Sequence, residues 1–164
     1  MNKPLIVCVE DEREVLDALV RDLKPFAEAF RIEATQTADE ALHVIERAEA
    51  VGDPIALVLA DHIMPGKTGV DLLVELTHRP GTVSTRKVLV TAQAGQQDTI
   101  RAVNEAHLDH YIAKPWAREQ LQAVVRSQLT DYVIARSLNL LPFLKTLNSP
   151  RLMEAIRTRG AAVD

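Results

Sequence analysis

Three carboxylates, a hydroxyl and an ammonium stand at the ends of apolar runs in this sequence. Asp61 follows Ile55-Ala-Leu-Val-Leu-Ala60 and precedes His62-Ile-Met-Pro-Gly66, while Glu10 and Asp11 follow Leu5-Ile-Val-Cys-Val9. Thr91 closes Val88-Leu-Val90, and Lys114-Pro115 follows Tyr111-Ile-Ala113. Acids crowded together repel, and one of them takes up a proton unless a cation compensates. The oxygen-only set Glu10, Asp11 and Asp61 suits a hard divalent ion such as Mg2+, which keeps several of its waters. A carboxylate-held metal beside a hydroxyl and a lysine suits a phosphoryl group in transfer: the metal and Lys114 neutralise its oxygens, and Thr91 hydrogen-bonds one of them. Asp61, alone at its strand end, is the natural nucleophile for an acyl phosphate.

The elements that must position these groups alternate along the chain. Short β-rich runs fall at about 4–9, 30–35, 55–60, 86–91 and 110–113, with helical spacing between them. Val15, Leu16, Leu19, Val20 and Leu23 mark a first helix that stops before Pro25. Thr37-Ala-Asp-Glu40 reads as a capping box opening a second, with Ala41, Leu42, Ile45 and Ala48 inward. A third runs from about Val70 to Thr77. A fourth, about Gln97 to Ala106, is anchored by Ile100 and Val103, and a fifth follows Pro115. Five such units with short connections imply an α/β fold, a parallel sheet with helices on both faces. In such sheets ligands bind outside the carboxyl ends of the strands, where the charged groups fall.

The fifth helix overruns. Leu121, Val124, Val125, Gln128, Leu129, Tyr132, Val133 and Leu138 carry helical spacing onward until Leu140-Leu-Pro-Phe-Leu144 breaks it. Ser149-Pro150 reads as an N-cap with Pro at the first helical position, and Gly160 as a stop. This divides the chain into a domain over 1–128 and a helical extension over 129–164. With 164 residues, 47% apolar and 26% charged, the chain is long enough for a sizeable core. A net charge of −4 gives no broad reason to bind nucleic acid or an acidic membrane. The single Cys8 excludes an internal disulfide, and the absence of long apolar runs predicts a cytoplasmic chain.

The four motifs Val9-Glu10-Asp11-Glu12, Asp61-His-Ile-Met-Pro-Gly66, Val90-Thr91-Ala92 and Tyr111-Ile-Ala-Lys114-Pro115, in this order and each at a strand end, resemble the receiver domain of two-component response regulators. The resemblance covers about residues 3–127. It implies a flavodoxin-like, doubly wound sheet of order 2-1-3-4-5, with Asp61 as phosphoacceptor and Asp11 as direct Mg2+ ligand (Mn2+ being the alternative ion). It further implies that Glu10 acts on the metal through water and that the Ile63 backbone carbonyl completes the ligands. Thr91, Lys114 and the Ala92 amide would hold the phosphoryl oxygens, and Tyr111 would change rotamer on activation. Glu10 stands where Asp is often found, and its longer arm alters the water geometry. Ile63 and Gln93 flank the site without a carboxylate to orient water, so slow loss of phosphate is expected.

The implied partner is a sensor histidine kinase or phosphotransfer protein, with output through an unknown downstream protein. Two roles for the extension follow. Either Leu121, Val125, Leu129 (or Gln128), Tyr132 and Ala135 form the seam of a homodimer, or Leu140, Leu141, Phe143, Leu144 and Leu147 fold back or dock elsewhere. A DNA-binding tail is disfavoured, since Arg151–Arg159 lacks the second helix and turn of a helix-turn-helix. A small-molecule aspartyl-phosphate phosphatase or phosphotransferase would want a second acid where Ile63 stands. His107, Asp109 and His110 are too closely spaced in a turn to converge on a metal. His62 is expected on the rim, and Trp116 as packing at a helix entry.

Overall fold

Alternate residues of the central strands feed two cores, one on each face of a parallel sheet. The computed structural model describes residues 3–92, 95–136 and 138–163. Strands β1 (Leu5–Val9), β2 (Arg31–Thr35), β3 (Ile55–Ala60), β4 (Arg86–Thr91) and β5 (His110–Ala113) pair in parallel in the order β2-β1-β3-β4-β5. Ile6 and Cys8 enter the core covered by α1 (Arg13–Asp22) and α5 (Arg118–Ala135). Leu5, Val7 and Val9 enter the core covered by α2 (Ala38–Ala50), α3 (Gly69–Thr77) and α4 (Gln96–Glu105). The period-two geometry of a strand buried on both faces explains why β1 and β3 carry no polar residue.

Helix ends follow local chemistry, with differences from the sequence expectation. Thr37 Oγ1 caps α2 by accepting from the Glu40 N–H at 3.0 Å, but Glu40 reaches back to the Gln36 N–H instead of closing the box. The reciprocal box forms at α3, between Thr68 and Asp71. Ile100 and Val103 do not anchor α4: they are 49% and 53% exposed, and the helix packs through the small Ala102 and, just beyond it, Ala106. The fourth helix is thus shallowly seated, with its larger apolar side chains facing outward.

The extension folds back. After α5 come a 3-10 turn, Leu141–Phe143, and α6 (Ser149–Val163). Leu140, Phe143, Leu147 and Leu152 are buried in the same cluster as Phe26, Phe30, Leu121, Val125 and Leu129, and the rings of Phe30 and Phe143 lie 5.3 Å apart. The expected dimer seam is therefore internal: Leu121, Val125, Gln128, Leu129 and Tyr132 are all buried within one chain, and of that set only Ala135 is exposed. Polar contacts fix the fold-back. Arg159 donates to the Leu138 and Ile134 carbonyls at 2.8 and 2.9 Å, a cation at the carboxyl end of α5. Arg126 donates to the Thr146 carbonyl, and Arg151 pairs with Asp131. The cap of α6 is the Asn148 side chain, accepting from the Arg151 N–H, so Pro150 is one position further in than expected. Gly160 does not stop α6, which runs to Val163.

Candidate functional site

The carboxyl edges of β1, β3 and β5 bring Glu10, Asp61 and Lys114 into contact. The Lys114 ammonium donates to Glu10 Oε2 at 2.6 Å and to Asp61 Oδ2 at 3.1 Å. Both carboxylates are buried, and Asp11 is the more solvent-accessible of the acids. Main-chain bonds hold the strand ends together: Glu10 N–H to the Thr35 carbonyl, Asp61 N–H to the Val9 carbonyl, and Lys114 N–H to the Thr91 carbonyl. The loop after Asp61 turns through Gly66, whose φ of 78° favours glycine. It then passes so close to the strand that a Cβ on Gly69 would lie 2.0 Å from the Asp61 carbonyl oxygen.

Electrostatics here are unbalanced. Burial is the largest influence on Glu10 and pushes its carboxyl above the usual range; the Lys114 ammonium pulls it back, and the Asp61 charge adds to the rise. For Lys114, burial alone would lower the pKa, but the hydrogen bonds and charges of Glu10 and Asp61 outweigh it and hold the ammonium above its ordinary value. One lysine thus faces two buried acids and a third beside them. Single oxygens of Glu10, Asp11 and Asp61 lie within 4.8 Å of one another, the one group of this kind among the described residues. This all-oxygen set, with surplus negative charge, fits a hard divalent ion.

Thr91 is buried at the end of β4, and Ala92 beyond it is exposed. Leu89 pairs with Tyr111 and Thr91 with Ala113, so Thr91 and Tyr111 are diagonal neighbours on one face of the sheet. Tyr111 is half-buried there against the α2–α4 core. Ile63 turns its side chain to solvent, 62% exposed. Gln93 lies outside the described residues.

His62 is not on the rim. It is buried, its Nε2 lies 3.1 Å from Asp98 Oδ2 in the first turn of α4, and its Nδ1 accepts from the Val70 N–H at 3.5 Å. It therefore joins the loop after β3 to two helices instead of serving Asp61. Asp109 is engaged by the Lys87 N–H at 2.7 Å and by Arg86 at 3.0 Å, a structural role. Sequence reading missed Asp22, the last residue of α1, buried and contacted by Trp116, Arg118 and Arg21. The available signal was an acid in the last turn of a helix, where the macrodipole disfavours it.

A 2-1-3-4-5 sheet with acids and a lysine at its carboxyl edge defines a class, and the chain belongs to it: the response regulator receiver domain family, matched over residues 6–126. The chain is 37% identical to the hydrogenase transcriptional regulatory protein HoxA of Cupriavidus necator, over 74% of this chain and 23% of that one. It is 32% identical to the phosphate regulon transcriptional regulatory protein PhoB of Rhizobium meliloti, over 77% and 52%. The chain thus spans about half or less of these relatives' length. Among solved structures it resembles a CheY-like response regulator receiver domain protein from Methanospirillum hungatei (27% identity, TM-score 0.67, 80% of this chain and 97% of that one). An uncharacterized protein from Neptuniibacter caesariensis is similar over 86% of this chain and 98% of that one, with 26% identity and a TM-score of 0.69.

Proposed function

We propose that the chain is a two-component response regulator that accepts a phosphoryl group on Asp61 from a histidine kinase or phosphotransfer protein. The Lys114 ammonium bridging Glu10 and Asp61 at the sheet's carboxyl edge carries this reading. An Asp61 carboxylate oxygen attacks phosphorus, the bond from phosphorus to the donor's imidazole nitrogen breaks, and the electron pair leaves with the imidazole. Glu10, Asp11, Asp61 and the Ile63 carbonyl would hold Mg2+ or Mn2+, which supplies charge neutralisation to the phosphoryl oxygens. Lys114 exchanges its Asp61 contact for a phosphoryl oxygen, and the Thr91 hydroxyl and Ala92 amide hydrogen-bond the others.

The acyl phosphate adds about −1.5 to −2 charge. Thr91 moves toward it, and Tyr111, its diagonal neighbour, takes the space vacated; this repacks β4, α4 and β5. Ile100 and Val103, exposed on α4, are the apolar contacts a downstream protein would cover. Residues 1–128 then form the receiver, and 129–164 a helical extension locked onto its α1–α5 side. Among the described residues no helix is long and apolar enough to cross a membrane, and a cytoplasmic location suits the proposed kinase partner. The chain is a signalling protein and no catalyst for outside substrates, because Ile63 stands where such an enzyme would want an acid. Ile63 also orients no water, so the acyl phosphate should persist for minutes or more; decay within seconds would contradict this.

The test is to phosphorylate the chain, trap the product with borohydride and map the reduced residue by peptide mass spectrometry. Reduction at residue 61 is expected, and reduction at Asp11 or Glu10 instead would overturn the assignment.

A further inference from the structure

A second set of contacts fixes the segment that presents Lys114. Asp22 ends α1, is 4% exposed, and gathers donors from the start of α5. The Trp116 indole N–H donates to its Oδ2 at 2.9 Å, Arg118 Nε to its Oδ1 at 3.1 Å, and Gln122 Nε2 to its backbone carbonyl at 2.8 Å. Arg21 adds a longer contact at 3.4 Å. An acid at the carboxyl end of a helix opposes the macrodipole, and a buried one is costly unless well paired. Three donors, from Trp116, Arg118 and the neighbouring Arg21, supply that pairing, and Gln122 satisfies the main-chain carbonyl. Trp116 is two residues from Lys114, whose side chain contacts both buried acids.

The indole of Trp116 is half-buried against the α1–α5 core and open on its other side. An open groove of about 450 Å³ lies beside it, lined by Val15, Ala18, Asp22, Lys114, Pro115 and Trp116. The bond to Asp22 therefore adds a directional anchor to packing that covers only one side of the indole.

We infer that Asp22 is a positioning residue for phosphoryl transfer: by clamping Trp116 and the first turn of α5 to α1, it fixes the reach of Lys114 to Glu10 and Asp61. This rests on the receiver reading above. The clamp acts through the main chain, and Asp22 touches no reacting atom. Losing it lets the 114–118 segment shift by a fraction of an ångström to an ångström, and misplacement on that scale lowers rates by one to two powers of ten.

The experiment compares wild type, Asp22→Ala, Asp22→Asn, Trp116→Phe, Lys114→Ala and the Asp22→Ala/Lys114→Ala double variant. Each is checked for native circular dichroism, then phosphorylated with acetyl phosphate and Mg2+. Asp22→Ala and Trp116→Phe should slow phosphorylation on the order of tenfold, with Asp22→Asn between them and wild type because it keeps an acceptor for the indole. The double variant should be no slower than Lys114→Ala, because contacts acting through one group do not add. The Lys114 side-chain Nζ and Cε resonances should move toward those of a solvated lysine in Asp22→Ala. A folded Asp22→Ala with unchanged rate and unchanged Lys114 resonances overturns the inference, as do losses that multiply in the double variant. If Asp22→Ala does not fold, Trp116→Phe decides by the same rate and resonances. Absence of phosphorylation in wild type would count against the receiver reading instead, and the resonances would still judge the clamp.

Discussion

Truncating Phe143 to alanine should destabilise the whole chain by about 3–4 kcal/mol. The ring is 6% exposed, stacks at a tilt on Phe30 with centroids 5.3 Å apart, and belongs to the cluster holding Leu129 and Leu152. Removing a buried Phe from a packed core costs about 3–5 kcal/mol, and the lower part of that range applies where neighbours on a short turn can relax. At about 2–4 °C per kcal/mol for a chain of this size, the melting temperature falls by roughly 6–16 °C. Leu141, in the same 3-10 turn but 63% exposed, is the internal control, and its truncation should stay within about 0.5 kcal/mol. Urea unfolding followed by circular dichroism should show one cooperative transition in wild type, because extension and receiver share one cluster. Equal, small effects for Phe143→Ala and Leu141→Ala, or a separate early transition for the extension, would refute the fold-back.

Other outcomes follow from the site. Mg2+ at about 100 times its dissociation constant should stabilise the chain by about 2.7 kcal/mol. Asp11→Ala should abolish that shift in a thermal melt; an undiminished shift would place the ion elsewhere. Asp22 is opposed by burial but held below the usual carboxylate range by Trp116, Arg118 and Arg21, and Asp71 is held below it chiefly by Arg101. A depressed folded-state pKa contributes stability that is fully present above about pH 4 and lost as pH falls through the lowered value. Asp22→Asn and Asp71→Asn should therefore each flatten the acid limb of stability against pH below about 4, while leaving its slope above pH 5 unchanged; an unaltered acid limb contradicts the pairing. Gly69→Ala should lose both stability and phosphorylation, since its Cβ would meet the Asp61 carbonyl at 2.0 Å. Wild-type behaviour there would mean the loop is placed differently in solution.

Much of this was legible because strands buried on both faces leave continuous apolar runs: Leu5–Val9 and Ile55–Ala60 are strands where the sequence carries such runs. The place of Asp61 was legible for the same reason, since it directly follows such a run, whereas Lys114 was marked by the short Tyr111-Ile-Ala113 and the Pro115 after it. What stayed hidden depends on neighbours distant in sequence. An apolar stripe on α5 reads the same whether a second copy or the chain's own Phe143 and Leu152 cover it. Ile100 and Val103 have helical spacing, yet Ala102 makes the contact, because α4 lies against α3 with the Ala102 face turned to the core. His62 looked like a rim residue because its partner, Asp98, lies on another element. Asp22 was overlooked because its main donors, Trp116 and Arg118, lie more than 90 residues away in the chain.

The central claim is that Asp61 is the atom-level destination of a phosphoryl group. Intact mass after incubation with acetyl phosphate and Mg2+ tests it most directly. Wild type should gain the mass of one phosphoryl group and Asp61→Asn none. No gain in the native chain, or an equal gain in Asp61→Asn, would contradict the account.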